Sequence, residues 1–182
     1  MRKKKQVLEN KINFLHSKFF FHQISIRRFA KKYFNLFILD SYINGNIIYN
    51  ESDPINYVYF IEEGIIELSS SKTIMEIEIF LQGLENRTLS NKETSQLNYK
   101  NISSNSEDIK SYLNKTQKTR LLIFGKNEIL GLESFYYNIP YFTTAKVIST
   151  RAKIFKIDQK QLRQILKIEV DCLPHLKNLI FS

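Results

Sequence analysis

Leu8, Ile12, Leu15 and Phe19 recur at every third or fourth position, which predicts an amphipathic helix at the start of the chain. Ile26, Phe29, Ala30 and Tyr33 repeat the pattern over a second, shorter helix, with Ser25 placed to cap it. Both helices carry their cations on the opposite face. From residue 36 the period changes. Apolar runs at 36–43, 47–49, 57–61, 65–68 and 74–81 have the length of strands. The breaks between them hold turn formers: Asn44-Gly45-Asn46, Ser52-Asp53-Pro54 and Glu63-Gly64. Met75-Glu76-Ile77-Glu78-Ile79 alternates, as a strand with one solvated face does. Strands resume at 120–124, 142–149 and 152–157. Asp158 and Gln161 have capping-box spacing ahead of an apolar stripe at Leu162, Ile165 and Leu166. A last amphipathic segment covers 170–181, interrupted by Pro174.

Residues 86–118 break this order. Asn, Ser, Thr, Lys and Gln dominate, and the isolated apolar residues form no period. Such a segment cannot bury enough to offset its ordering entropy, so it reads as a long disordered insertion that can be shortened without loss of stability. The predicted layout is N-terminal helices over 1–35, a β core over 36–158 carrying the insertion, and C-terminal helices over 159–182. The glycines support a compact antiparallel sheet structure, because Gly45, Gly64, Gly83, Gly125 and Gly131 each lie between or beside apolar runs. Val58, Phe60 and Ile66 are candidates for the core. Gly131 opens a non-strand stretch, Gly131-Leu-Glu-Ser-Phe-Tyr-Tyr-Asn-Ile-Pro140, between two strands. That interruption is the candidate functional site.

Composition narrows the function classes. The net charge is +9 over 182 residues, but only Arg2-Lys3-Lys4-Lys5 forms a dense run. No zinc-finger spacing or helix-turn-helix accompanies it, so no nucleic-acid partner is expected. The heavy use of Ile, Lys, Asn, Phe and Tyr is similar to that of proteins from AT-rich genomes, which accounts for part of the charge. Cys172 is the only cysteine, so no internal disulfide is possible and a reducing, cytoplasmic setting is expected. No stretch has the apolar length of a signal peptide or membrane span. His16, His22 and His175 lie in predicted helical segments without metal-ligand spacing, and Cys172 reads as a small core residue. Glu51 and Asp53 read as turn formers, and Phe19-Phe20-Phe21 as a packing face under the β core or a surface that docks a partner helix. With no phosphate loop, nucleophile elbow or carboxylate pair, neither enzymatic activity nor a metal is expected.

Several motifs together resemble one family. Tyr42-Ile-Asn-Gly-Asn-Ile-Ile-Tyr49 and Tyr57-Val-Tyr-Phe-Ile-Glu-Glu-Gly64 are similar to the opening strands of cyclic-nucleotide-binding domains. Leu122-Ile-Phe-Gly-Lys-Asn-Glu-Ile-Leu-Gly131 resembles the strand and turn leading into that family's phosphate-binding cassette, and Tyr137-Asn-Ile-Pro140 matches the cassette's end. The resemblance covers most of residues 24–168 outside the insertion. It implies a mainly β fold with flanking helices, a cyclic-nucleotide-binding-like β-roll (double-stranded jelly roll) of about eight strands. It also implies a short cassette helix whose N-terminus faces the phosphate of cAMP or cGMP. In the family a glutamate just after the cassette glycine holds the ribose, and an arginine just after the proline pairs with the phosphate.

This chain departs at both anchors. Leu132 stands at the glutamate position, with Glu133 one residue late, and Tyr141 stands at the arginine position. Phe142 follows where cGMP-selective members often carry Thr, and Asn127 replaces a frequent glycine. Gly131, the small Ser134 and Pro140 keep the cassette backbone. Glu133 on a helix slipped by one residue, or a cation from Lys126 or Lys146, are the conceivable substitutes. The resemblance therefore implies a non-catalytic regulatory module with weak or lost cyclic-nucleotide binding and no cofactor. Its effector would be a protein partner or a longer parent polypeptide, and residues 170–181 would be the segment that moves. The alternatives are a competent cAMP or cGMP sensor of a kinase regulatory subunit or gated ion channel, and a catabolite-activator type of transcription factor.

Overall fold

The computed structural model describes residues 2–17, 19–72, 76, 79, 82, 83 and 118–176. Helix α1 (Arg2–Ser17) runs through a 3-10 turn (Phe19–Gln23) into α2 (Ile26–Lys32), and a second 3-10 turn (Phe34–Leu36) ends the N-terminal layer. Ser25 caps α2 as the sequence suggests, its hydroxyl accepting from Arg28 N at 3.4 Å. Among the described residues eight strands follow: β1 (Ile38–Ile43), β2 (Ile47–Tyr49), β3 (Tyr57–Glu63), β4 (Ile66–Ser70), β5 (Thr119–Phe124), β6 (Ile129–Leu130), β7 (Thr144–Val147) and β8 (Arg151–Asp158). Helix α3 (Leu132–Tyr137) interrupts them after β6, and α4 (Gln159–Ile168) follows β8. The strands form two four-stranded antiparallel sheets, ordered β1-β8-β3-β6 and β2-β7-β4-β5. This is the double-sheet roll that the resemblance to cyclic-nucleotide-binding domains implies.

Strand β3 shows how the layers meet. Val58, Tyr59, Phe60 and Ile61 are all buried, so both faces of this strand are covered. On the outer face, Phe60 packs against Phe37 at 5.5 Å and Phe21 at 6.2 Å between ring centroids. Phe155, the register partner of Phe60, meets Phe14 of α1 at 6.1 Å. The inner face turns Tyr59 toward Tyr49 of the second sheet, 5.7 Å away. A buried phenylalanine stabilises by about 1.5–3 kcal/mol, so Phe21, Phe29 and Phe60 tie the N-terminal helices firmly to the roll. Gly64 is required by both its φ of 110° and its surroundings, because a Cβ there would lie 2.5 Å from Ala152 Cβ.

Asp158 caps α4, its Oδ1 accepting from Lys160 N at 2.8 Å and Gln161 N at 3.2 Å. Leu162, Ile165 and Leu166 are buried. Glu169 then accepts from Arg28 Nη2 at 2.6 Å and from the Tyr33 hydroxyl at 2.5 Å, joining the two ends of the chain.

One expected strand is corrected. Within 74–81, Glu76 and Ile79 are helical, as are Gln82 and Gly83 just beyond. The same apolar residues allow a second reading: Ile74, Ile77 and Leu81 also recur at helical spacing, and five or six alternating positions cannot separate the two periods. The insertion predicted over 86–118 lies outside the described residues except for Lys118, as does the end of the 170–181 segment.

Candidate functional site

Gly131 takes φ 75° and starts α3 immediately after β6. Leu132, Ser134 and Phe135 of this short helix are buried. It ends at Asn138, the residue type after glycine that best tolerates the left-handed conformation (φ 56°). Asn138 N donates to Phe135 O and Ile139 N to Ser134 O, closing the helix end at 3.3 and 3.0 Å. Ser134 Oγ donates to Pro140 O at 3.3 Å, so the small residue ties the helix to its exit.

Tyr141 follows Pro140 and is only 3% exposed. Its ring stacks on Tyr49 at 3.9 Å with an interplanar angle of 14°. The ring also lies against Gly131, where a Cβ would come within 2.8 Å of Tyr141 Cε1. The hydroxyl donates to Tyr57 O at 2.6 Å and accepts from Tyr57 N at 3.3 Å. The backbone is pinned as well: Ser52 N donates to Tyr141 O at 2.7 Å, and Tyr141 N to Asp53 O at 3.0 Å. Burial raises the phenols of Tyr49, Tyr59 and Tyr141 above their ordinary value, so all three are neutral at physiological pH. The space between the sheets beside α3 is therefore lined by the chain's own tyrosines.

No protein-family model and no curated protein matches the sequence. Solved structures match the architecture at low identity. The regulatory subunit of a cAMP-independent protein kinase A from Trypanosoma brucei superposes with a TM-score of 0.61 at 14% identity, over 96% of this chain and 47% of that one. The regulatory domain of Toxoplasma gondii PKA, solved with cAMP, gives 0.59 and 11%, over 96% and 50%. The sensor domain of the transcriptional regulator DNR from Pseudomonas aeruginosa gives 0.56 and 13%, over 92% and 91%. The chain has the cyclic-nucleotide-binding fold. It spans about half the length of the two kinase regulatory chains.

The predicted residues Gly131, Leu132, Glu133, Ser134, Pro140 and Tyr141 lie on α3 and beside it, between β6 and β7. Leu132 turns into the core and is 4% exposed. Glu133 is half-buried. Desolvation raises its carboxyl above the usual carboxylate range, although the carboxyl takes the hydrogen bond of its own backbone N–H. That N–H is one of the first-turn donors an anion would use. The Glu133 charge also adds to the upward shift of Tyr49, behind burial.

Lys146 is exposed on β7 between buried Ala145 and Val147, and Lys126 is exposed in the turn before β6. Asn127 takes φ 80° there, which explains how Asn stands where the family uses glycine. Lys156, the register partner of Tyr59, is held by Asp40 at 2.6 Å. Among the described residues no three His, Cys, Asp or Glu side chains converge as a metal site. No described helix is long and apolar enough to cross a membrane.

Phe142 is half-buried, and its carbonyl accepts from Ser70 Oγ at 3.1 Å. Here the sequence missed a role for Glu51. Its carboxylate accepts from Ser70 Oγ at 3.0 Å, Ser71 N at 2.8 Å and Ser71 Oγ at 2.7 Å. Desolvation alone would raise this carboxyl, but the Ser71 and Ser70 bonds, with the charge of Lys118, outweigh it and lower it. Lys118 Nζ and Glu51 N both donate to Thr144 Oγ1, at 2.6 and 3.0 Å. Glu51 and Thr144 together thus hold Ser70, Ser71 and Lys118, which flank the segment between β4 and β5. Asp53 behaves as the turn former the sequence suggests, accepting from Asn50 N at 2.8 Å.

Arg163 of α4 was also missed. Its Nη2 donates to Phe135 O at 2.6 Å and to Asn138 Oδ1 at 3.1 Å, and its guanidinium lies 4.5 Å over the Phe135 ring. A cation at a helix C-terminus is favourable, and this one bridges two helices. Nothing local in the sequence signals the pairing, which spans 28 residues.

Proposed function

We propose that this chain is a non-catalytic regulatory module whose cyclic-nucleotide cassette is filled by its own Tyr141, leaving affinity for cAMP and cGMP weak or lost. The observation that carries this reading is the Tyr141 ring, buried and stacked at 3.9 Å on Tyr49 beside Gly131. A neutral phenol stands where a phosphate would need a cation. Removing one partner of a buried charge pair costs about 2–5 kcal/mol in affinity, a loss of roughly 30- to 5,000-fold. Glu133 adds a desolvated carboxyl that disfavours a second anion.

The output follows from Arg163. It fastens the cassette helix to α4, so any displacement of α3 reaches residues 170–176 behind it. The effector is a protein partner or another part of a longer polypeptide, as the length relation to the kinase regulatory chains suggests. Several surface cations are paired with acids: Arg120 with Glu67, Arg151 and Lys153 with Glu63. This favours a protein partner over nucleic acid. The single cysteine, buried and with its thiol pushed up to about 11 mainly by desolvation, fits a reducing cytoplasmic setting.

The test is to restore the anchors with Tyr141→Arg and Leu132→Glu and to follow thermal unfolding with millimolar cAMP or cGMP. The reading predicts ligand stabilisation of the double variant and none of the unmodified chain. Stabilisation of the unmodified chain would overturn it in favour of a competent sensor.

A further inference from the structure

Away from the cassette, three side chains from opposite ends of the sequence meet. His22 and Gln23 belong to the 3-10 turn after α1, and His175 to the helical segment 173–176. The Gln23 amide nitrogen lies 3.0 Å from His22 Nε2 and 2.8 Å from His175 Nε2. The two imidazoles approach at 4.4 Å between centroids and 76° between planes. An amide N–H₂ donates to an imidazole nitrogen that carries no proton, so this arrangement suits the tautomer with the ring proton on Nδ1. Both Nε2 atoms face the same amide nitrogen.

The elements that bring them there are well anchored. Phe21, next to His22, is fully buried against Phe29 and Phe37. Cys172 and Leu176, on either side of His175, are buried as well. His22 and Gln23 are exposed and His175 is half-buried, so the meeting point opens to solvent. Neutral imidazoles are the preferred nitrogen ligands of zinc and of neighbouring divalent transition ions.

We propose that His22 and His175 form a binding site for a zinc-class divalent transition ion, which clips the segment after α4 to the N-terminal layer. The ion takes the place of the Gln23 N–H₂ group between the two Nε2 atoms. Zinc–nitrogen bonds are about 2.0–2.1 Å, so the ion sits closer to each Nε2 than the amide nitrogen does. The Gln23 amide, turned over, offers its oxygen as a third ligand, and water completes the shell. Cys172 precedes His175 by a ligand-like spacing, but it is turned into the core with its thiol protonated. The site is independent of the cassette and of whether a nucleotide binds.

Calorimetric titration of tag-free protein with zinc at neutral pH tests this, alongside His22→Ala and His175→Ala, whose circular dichroism confirms folding. Removing a direct ligand should cost at least what losing an outer-shell partner does, about 10- to 100-fold in affinity. The expected result is one zinc per chain, that loss in each variant, and zinc protection against heat only in the unmodified protein. Absence of saturable zinc binding would overturn the proposal. So would binding that survives either substitution, because the ion would then sit elsewhere or on one histidine alone.

Discussion

Replacing Tyr141 by Ala asks whether its ring is a structural filling or a plug that ligand could displace. The ring is 3% exposed, stacks on Tyr49 at 3.9 Å, and bonds the Tyr57 carbonyl at 2.6 Å. Truncating a fully buried aromatic costs about 3–5 kcal/mol, because transfer free energy is lost and a cavity remains. The hydroxyl bond contributes about 1 kcal/mol more, and water entering the vacated space returns a similar amount. The net expectation is a loss of about 4 kcal/mol. With a urea dependence of about 2 kcal/mol per molar, the unfolding midpoint should fall by about 2 M. Tyr141→Phe keeps the stack and should cost only about 1 kcal/mol. Urea unfolding followed by circular dichroism measures both. A loss under about 1 kcal/mol for the Ala variant would refute the reasoning, since a ring so cheaply removed would be no barrier to a ligand.

Gly64→Ala should destabilise by more than about 2 kcal/mol in the same assay, because φ is positive and the new Cβ would meet Ala152 at 2.5 Å. Arg163→Ala should cost about 1–2 kcal/mol, and amide hydrogen exchange should speed up across 132–138 while β3 and β8 stay protected. Glu133→Gln should raise the melting temperature at pH 7. The carboxyl is raised in the folded protein, so ionisation of the native residue lowers stability as pH climbs past its unfolded value, and the gain should vanish below about pH 4.

The roll was legible because its strands are short and its turns are marked. Gly45, Gly64 and Gly131 all take positive φ, and Val58, Phe60 and Ile66 are fully buried, as the apolar runs imply. The continuous run at 57–61 read correctly as a strand, although only Phe21 and Phe37 explain why it does not alternate. Strand β6 is two residues long, below what any pattern can signal. At 74–81 two periods fit the same residues, and Glu76 and Ile79 are helical.

For the site, the family resemblance, counted from Gly131 and Pro140, puts Tyr141 at the arginine position. It could not show that the ring would turn inward onto Tyr49, which depends on a partner 92 positions away. Glu51, Arg163 and the meeting of His22 with His175 are likewise products of the fold. Each joins residues whose local sequence is ordinary.

The central claim is that Tyr141 fills the place a cyclic phosphate would need. Isothermal titration of the unmodified protein with cAMP and with cGMP tests it most directly. The account predicts no saturable heat with either nucleotide up to millimolar concentration. Saturable micromolar binding of either one would contradict it.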